Sequence, residues 1–213
     1  MSDFRTEAIS RFTNPHLLAA LESAGELDAA NTESDNQIAI GPRLPSCELS
    51  KIPVPNAFLR SALFTATAQS CKRKKLTNHI IATPDGITLK YTGDELGQDD
   101  KRLLHVLIDL ARPNPLGTIV QTTSYSLLKK LNRSDNTFNY LWLHRSLDRL
   151  IVNKLEIKVN RFFFKGSIIS SIFGDSYADT LNIFFDPGFI TLYGNNDWTA
   201  IDNAVVSSLA RSP

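Results

Sequence analysis

Residues 122–153 read TTSYSLLKKLNRSDNTFNYLWLHRSLDRLIVN, and this stretch decides the fold. Either threonine at its start can cap a short helix, and the dipeptide Asn132-Arg133 then turns the chain. Ser134 suits the N-cap of a longer helix that runs from Asp135 to about Asn153. The stretch therefore predicts two helices separated by a tight turn.

Strand-like runs surround these two helices. The Pro84-Asp85-Gly86 turn predicts a hairpin, and Asp99 or Asp100 can cap a further amphipathic helix that Pro113 ends. Strands are expected at 79–82, 87–91, 118–121, 155–159, 162–173 and 180–185. The order of helix, turn, helix and hairpin indicates an α+β protein of the winged-helix type.

The longer helix has two different faces when its residues are placed at 100° intervals. One face is an apolar stripe that should pack inward, made of Asn136, Tyr140, Leu143, Leu147, Leu150 and Ile151. The opposite face carries Ser134, Phe138, Leu141, Trp142, Arg145 and Arg149. Three residues of this outward set are large and apolar, so we expect another molecule or segment to cover them.

The outward face suits a helix that reads DNA. Arginine can bond guanine in a bidentate way, and apolar side chains can contact thymine methyls. Alternatively, this face packs against the N-terminal arm or a strand, with Leu141 and Trp142 as core residues. Arg145 and Arg149 count against that alternative because a buried apolar face does not accept unpaired charges.

Other basic residues are candidates for phosphate contacts. They are Lys72, Arg73, Lys74, Lys75, Lys129, Lys130, Arg133, Arg161 and Lys165. The group at 129–133 flanks the turn before the reading helix, where such motifs meet the DNA backbone. The run at 72–75 could bind through counterion release, although such runs are usually only solvated. Arg161 and Lys165 would contribute if their hairpin, and not the acidic loop Gly174 to Asp179, is the wing.

Charge and composition divide the 213 residues into two parts. Residues 1–56 carry four Lys/Arg and eight Asp/Glu, whereas residues 57–213 carry nineteen and fourteen. The first part, with prolines between 42 and 55, is interpreted as an acidic arm and linker. Residues 57–213 are interpreted as the winged-helix domain, whose later basic character favours a nucleic-acid surface.

The sequence lacks the motifs of common catalytic and metal sites. It has no Gly-rich phosphate loop and no serine between glycines, and its four histidines and two cysteines are scattered without ligand spacing. No run of eighteen apolar residues occurs, and no signal peptide is recognisable. We expect a non-enzymatic, cytoplasmic protein without cofactor or metal.

Several segments resemble the TrfA family of plasmid replication initiators. They are Arg60 to Thr65, Ile87 to Leu96, Asp99-Asp100, Ser134, Asn136, Tyr140 and Leu147 to Leu150. The similarity continues to about Leu192 and covers roughly two thirds of the chain. The resemblance implies binding to repeated origin sites, called iterons, and recruitment of the host initiator and helicase, with a homodimer as a further option.

The sequence also departs from the family pattern. Family members resemble tandem winged helices, and a second winged helix is expected to be absent here. The loop Gly174 to Asp179 carries Asp175 and Asp179, where a phosphate-binding wing would have lysine or arginine. Two other functions therefore stay open: a transcriptional repressor or copy-control protein, and a protein-interaction module that docks through Phe138, Leu141 and Trp142.

Overall fold

The computed structural model describes residues 42–66, 72–84, 86–159, 161–175 and 177–204. The chain divides into two compact units, Met1–Ala39 and Ile40–Pro213, and all described residues belong to the second. The arm, and the linker as far as residue 41, lie outside the described residues.

Helices and strands alternate along the described chain. In order they are β1 (Lys51–Pro55), α1 (Asn56–Leu59), β2 (Phe64–Thr65), β3 (Lys75–Ile81), β4 (Ile87–Asp94), β5 (Leu96–Gly97), α2 (Gln98–Ala111), β6 (Ile119–Thr123), α3 (Ser124–Lys130), α4 (Thr137–Val152), β7 (Lys154–Val159), β8 (Phe162–Gly166), β9 (Ile169–Asp175), β10 (Thr180–Phe185), a 3₁₀ helix (Pro187–Asn196) and β11 (Trp198–Asp202). The expected α+β class is confirmed.

The described strands form four separate sheets. Strands β3, β4, β7 and β8 make an antiparallel sheet in that order, and β6, β10 and β9 make a second antiparallel sheet. Strand β1 pairs antiparallel with β11, and β2 pairs parallel with β5. Helices α2, α3 and α4 pack against one another.

The four-stranded sheet has one buried and one exposed face. Ile81, Leu89, Ile157 and Phe164 lie opposite each other on the four strands, and all four are buried. Because side chains alternate along a strand, the residues before and after each of these four point to the other face of the sheet.

An aromatic cluster joins the last elements to the first. The Phe189 ring, in the 3₁₀ helix, contacts the rings of Phe58, Phe164, Phe185 and Tyr193 at centroid distances of 5.6 to 6.4 Å. Offset and edge-on aromatic pairs of this kind add to the stabilisation from buried area. The cluster therefore fastens α1, β8 and β10 to one core.

The predicted linker extends too far along the chain. Leu44, Ile52 and Val54 are buried, and β1 pairs with β11 from Lys51↔Asp202 to Pro55↔Trp198. The prolines are tolerated because β1 has a partner on one side only. Residues 42–56 thus belong to the folded unit, and the boundary expected at 57 is wrong. Local composition could not show this, because the strand that pairs with β1 lies almost 150 residues further along the chain.

The hairpin and the helices confirm most of the local predictions. Strands β3 and β4 form the expected hairpin, and the Thr123 side chain accepts a bond from the Ser126 amide at the start of α3. At α4 the predicted cap is wrong: Asn136, not Ser134, accepts from the Asn139 amide at 2.9 Å. Asn136 is therefore an exposed cap and not part of the buried stripe.

The single strand expected at 162–173 is two strands. It is interrupted at Ser167-Ile168, and Ile168 is fully buried. The interruption lets the chain leave the four-stranded sheet as β8 and enter the three-stranded sheet as β9. Lys165, Gly166 and Ser167 interrupt the apolar run at the point where the chain changes sheet.

Candidate nucleic-acid interface

Helix α4 is anchored by the apolar stripe that its sequence predicts. Leu143, Leu147 and Leu150 are each at most 2% exposed. Tyr140 and Ile151 are partly buried against the same core. The inward face is therefore confirmed, and it fixes which side of the helix is presented to solvent.

The exposed side of α4 carries three of the residues predicted to read DNA. Phe138 is 69% exposed, Leu141 is 52% exposed, and Arg145 is exposed as well. Within the described parts of the chain, Arg145 forms no ion pair. Lys129 and Lys130, at the end of α3, are also exposed. These five side chains are available to a ligand.

Arg149 is not available, which corrects its place on the outward face. Its guanidinium Nη2 lies 2.6 Å from Oδ1 of Asp100, and its Nε lies 3.2 Å from the same oxygen. Asp100 is fully buried at the start of α2 and also accepts from the Ser146 hydroxyl of α4. Arg149 therefore fastens α4 to α2.

Arg73 joins the same buried carboxylate. Its Nη1 lies 3.2 Å from Oδ2 of Asp100 and donates to the Glu95 carbonyl at 2.8 Å. Asp100 Oδ2 also accepts from the amide of Gly97, the residue that precedes α2. Arg73 is thus bound internally and does not share the exposure of its neighbours in the run, Lys72, Lys74 and Lys75.

Trp142 and Arg133 form a second internal contact next to α4. Trp142 is 9% exposed, which corrects its place on the outward face. The Arg133 guanidinium lies 3.7 Å above the Trp142 ring and 3.0 Å from Oδ2 of Asp99. A cation over an aromatic face that also pairs with a carboxylate is held in place. The role of Arg133 in the structure is thus to fix the turn between α3 and α4.

Ser134 and Asn139 complete this turn. The Asn139 side-chain amide donates to the Ser134 carbonyl at 2.7 Å and to its hydroxyl at 3.0 Å. The Arg133 guanidinium donates in turn to the Asn139 amide oxygen at 3.3 Å. Asn139 is absent from the predicted site residues. The signal that could have identified it is a polar residue four positions before Leu143, on the face of the apolar stripe.

The two aspartates of the loop after β9 have structural partners. Asp179 accepts from the amides of Ser124 and Tyr125 at 3.1 Å each, and so caps α3. Burial raises the pKa of Asp179, but hydrogen bonds from the Ser124 side chain and from the two amides outweigh burial and lower it. Asp175 accepts from the Tyr177 amide within its own loop. The two aspartates of this loop therefore accept hydrogen bonds from nearby backbone amides.

Two grooves flank the exposed side of α4. One lies towards β3 and β4, where Lys75 and Thr77 approach Arg145 and Val152. The other lies towards the hairpin of β9 and β10 and is lined by His144 and Phe173, among others. The exposed face of α4 thus lies between two hairpins.

Arg161 and Lys165 lie on the hairpin of β7 and β8. Lys165 pairs with Glu156 across that hairpin at 3.2 Å, and Arg161 is exposed at its turn.

In the described parts of the chain no cluster of three or more His, Cys, Asp or Glu residues could hold a metal ion. None of the described helices is long and apolar enough to cross a membrane.

Among solved structures, two domains of another protein have a similar fold. Domains 2 and 3 of RctB superpose with a TM-score of 0.50 at 11% sequence identity, covering 72% of this chain and 65% of that chain.

The family follows from the sequence comparison. The TrfA protein family matches residues 35–172, and the chain belongs to this family. The plasmid replication initiator protein TrfA of Escherichia coli is 33% identical over 99 residues, which are 46% of this chain and 26% of that relative. The matched segment is therefore about a quarter of the relative's length.

Proposed function

We propose that α2, β6, α3, α4, β9 and β10 form a winged helix. Two helices and a tight turn are followed by a hairpin, and β10 of that hairpin pairs with β6, the strand that precedes α3. In this proposal the loop between β9 and β10 is the wing. The hairpin of β7 and β8 is then an insertion between α4 and the wing.

The function supported best is initiation of plasmid DNA replication through sequence-specific binding of duplex DNA. The family supports the process, and the exposed face of α4 supports the binding mode. In this proposal the binding sites are origin repeats, and the host initiator and helicase are recruited afterwards. We place this role in the cytoplasm. It requires no catalytic centre, and both a monomer and a homodimer are compatible with it.

One observation carries the proposal: α4 exposes Phe138, Leu141 and Arg145 although two charged networks and an apolar stripe hold the helix rigidly. A reading helix needs this combination, because base contacts are specific only when the helix that makes them is fixed. Lys129 and Lys130 then lie near the DNA backbone, as expected for the helix before the reading helix.

Replacing Arg145 tests the reading function. A preferred duplex is first selected from a random library with the parent protein. Arg145→Ala should weaken binding to that duplex by about 1–3 kcal/mol and relax the preference at one base pair. Arg60→Ala is the matched control, because Arg60 is an exposed arginine next to α1, which packs on β1 and β11.

The outcomes separate the candidate functions. An unaltered site preference in Arg145→Ala would remove α4 from base reading. If the parent protein selects no sequence, the exposed apolar residues of α4 are better explained as a docking site for a protein partner. If a selected site exists but its plasmid replicates without the protein, repression or copy control replaces initiation.

A further inference from the structure

The exposed face of the four-stranded sheet is unusually basic. Its residues follow from the pairing: Lys90, Glu156 and Lys165 lie side by side, Lys158 lies next to Phe163, and Lys154 lies next to Thr92. We call Lys90, Lys154, Lys158 and Lys165 the lysine face. The acid among them is Glu156, and Asp94 lies at the end of β4 opposite Lys75.

Three of the four lysines are exposed, and Lys90 is partly exposed. Lys154 and Lys158 are exposed, and in the described parts of the chain neither forms an ion pair. Lys165 is 62% exposed despite its contact with Glu156. Several like charges on one face of the sheet disfavour a second copy of this chain as the occupant.

The lysine face continues the exposed face of α4. A groove lined by Lys90, Lys154 and Lys165 reaches the end of α4 at Val152. Val152 also lines the groove that contains Arg145. Val152 is 74% exposed, so the two grooves share a solvent-exposed residue. A single long ligand could contact both.

We propose that the lysine face contacts the phosphate backbone of the same duplex that α4 reads, an inference that rests on the proposed function. Lys154 and Lys158 are four residues apart on one strand, and Lys90 and Lys165 are two strands apart. Such pairs are separated by roughly 13 Å and 10 Å respectively. The walls of the DNA major groove are about 12 Å apart, so paired lysines match paired phosphates.

The apolar residues of the sheet favour a duplex over a single strand. Ile80 and Phe163 are both 67% exposed, but they lie on the edge strands β3 and β8. Single strands bind where aromatic side chains offer a stacking platform between basic residues. Here the two middle strands carry three of the four lysines and no exposed aromatic residue.

The test compares two double variants in fluorescence anisotropy with the full chain. Lys154→Gln/Lys158→Gln should weaken binding roughly 10-fold per lost contact at about 0.1 M salt, and it should lower the salt slope of log K by about 1.8. The selected duplex and a scrambled duplex of equal length should be affected equally, since phosphate contacts carry no sequence information. Arg43→Gln/Arg60→Gln, with two exposed arginines elsewhere, should change neither quantity.

The outcomes distinguish this inference from the proposed function. A parental salt slope in the lysine variant, with thermal melts showing intact folding, would overturn the duplex contact and leave base reading by α4 intact. The inference would also be overturned if the lysine variant lost binding only to a single-stranded oligonucleotide and kept its binding to both duplexes. The lysine face would then bind single strands. If the parent protein binds no duplex, both proposals fail.

Discussion

Asp100 decides at the level of single residues which arginines are available. It has no exposure to solvent, and it holds Arg149 of α4 and Arg73 of the basic run together with the start of α2. The sequence places Arg145 and Arg149 one helical turn apart, and only the structure shows that one is exposed and the other is bound.

Removing this carboxylate should cost much stability. Asp100→Ala leaves Arg149 and Arg73 without their buried partner, so we expect the free energy of unfolding to fall by about 3–5 kcal/mol. Urea denaturation would measure it. Asp148→Ala, an exposed aspartate on the same helix as Arg149, should stay within about 0.5 kcal/mol of the parent. A loss below about 1 kcal/mol for Asp100→Ala would contradict the described network.

Local sequence predicted the site only in part. Phe138, Leu141 and Arg145 are exposed as expected, because their positions follow from the 3.6-residue period. Trp142 and Arg149 were misplaced because they lie at the border between the two faces. At such borders the neighbouring elements decide burial, and the carboxylate that binds Arg149 is 49 residues away.

At the level of elements, the helices were predicted better than the strands. Apolar periodicity located α4, but its start was misplaced by two residues because both Ser134 and Asn136 are good caps. The strands of the last third were found as runs, whereas their division between two sheets depends on pairing with β4 and β6. Pairing over long sequence distances has no local signal.

The loop between β9 and β10 should stabilise α3 in a pH-dependent way. Asp179→Ala removes the acceptor for two amides, and we expect a loss of about 1 kcal/mol at neutral pH. Because the folded protein lowers the pKa of Asp179, this stabilisation is present above the ordinary carboxyl pKa of 3.8 and is lost as the pH falls below it.

Hydrogen exchange would locate this effect. In Asp179→Ala the amides of Ser124 and Tyr125 should exchange faster, while those in the middle of α4 keep their protection. Parent and variant should become equally stable at low pH. Unchanged exchange at Ser124 and Tyr125 would show that the loop does not cap the helix.

At the level of the whole molecule, the folded unit begins earlier than its composition suggests. Proline, serine and acidic residues before position 57 indicate a linker, yet Ile52 and Val54 complete the core. Ile52→Ala should therefore lower the free energy of unfolding by about 2–5 kcal/mol, as for a buried cavity.

Leu49 provides the matched comparison for this prediction. It lies three residues before Ile52 and is 91% exposed, so Leu49→Ala should change the stability by less than about 0.5 kcal/mol. Urea denaturation of both variants would measure the difference. Equal, small effects would mean that β1 is not part of the cooperative unit.

The pairing of β1 with β11 also has a mechanical consequence. The chain enters this ladder at Lys51 and leaves it at Asp202, and these two residues face each other. A force that pulls Lys51 and Asp202 apart would load one residue pair at a time, beginning with this one, and would unzip the ladder towards Pro55 and Trp198. Under such a force this ladder should open before the sheets that support α4 are strained.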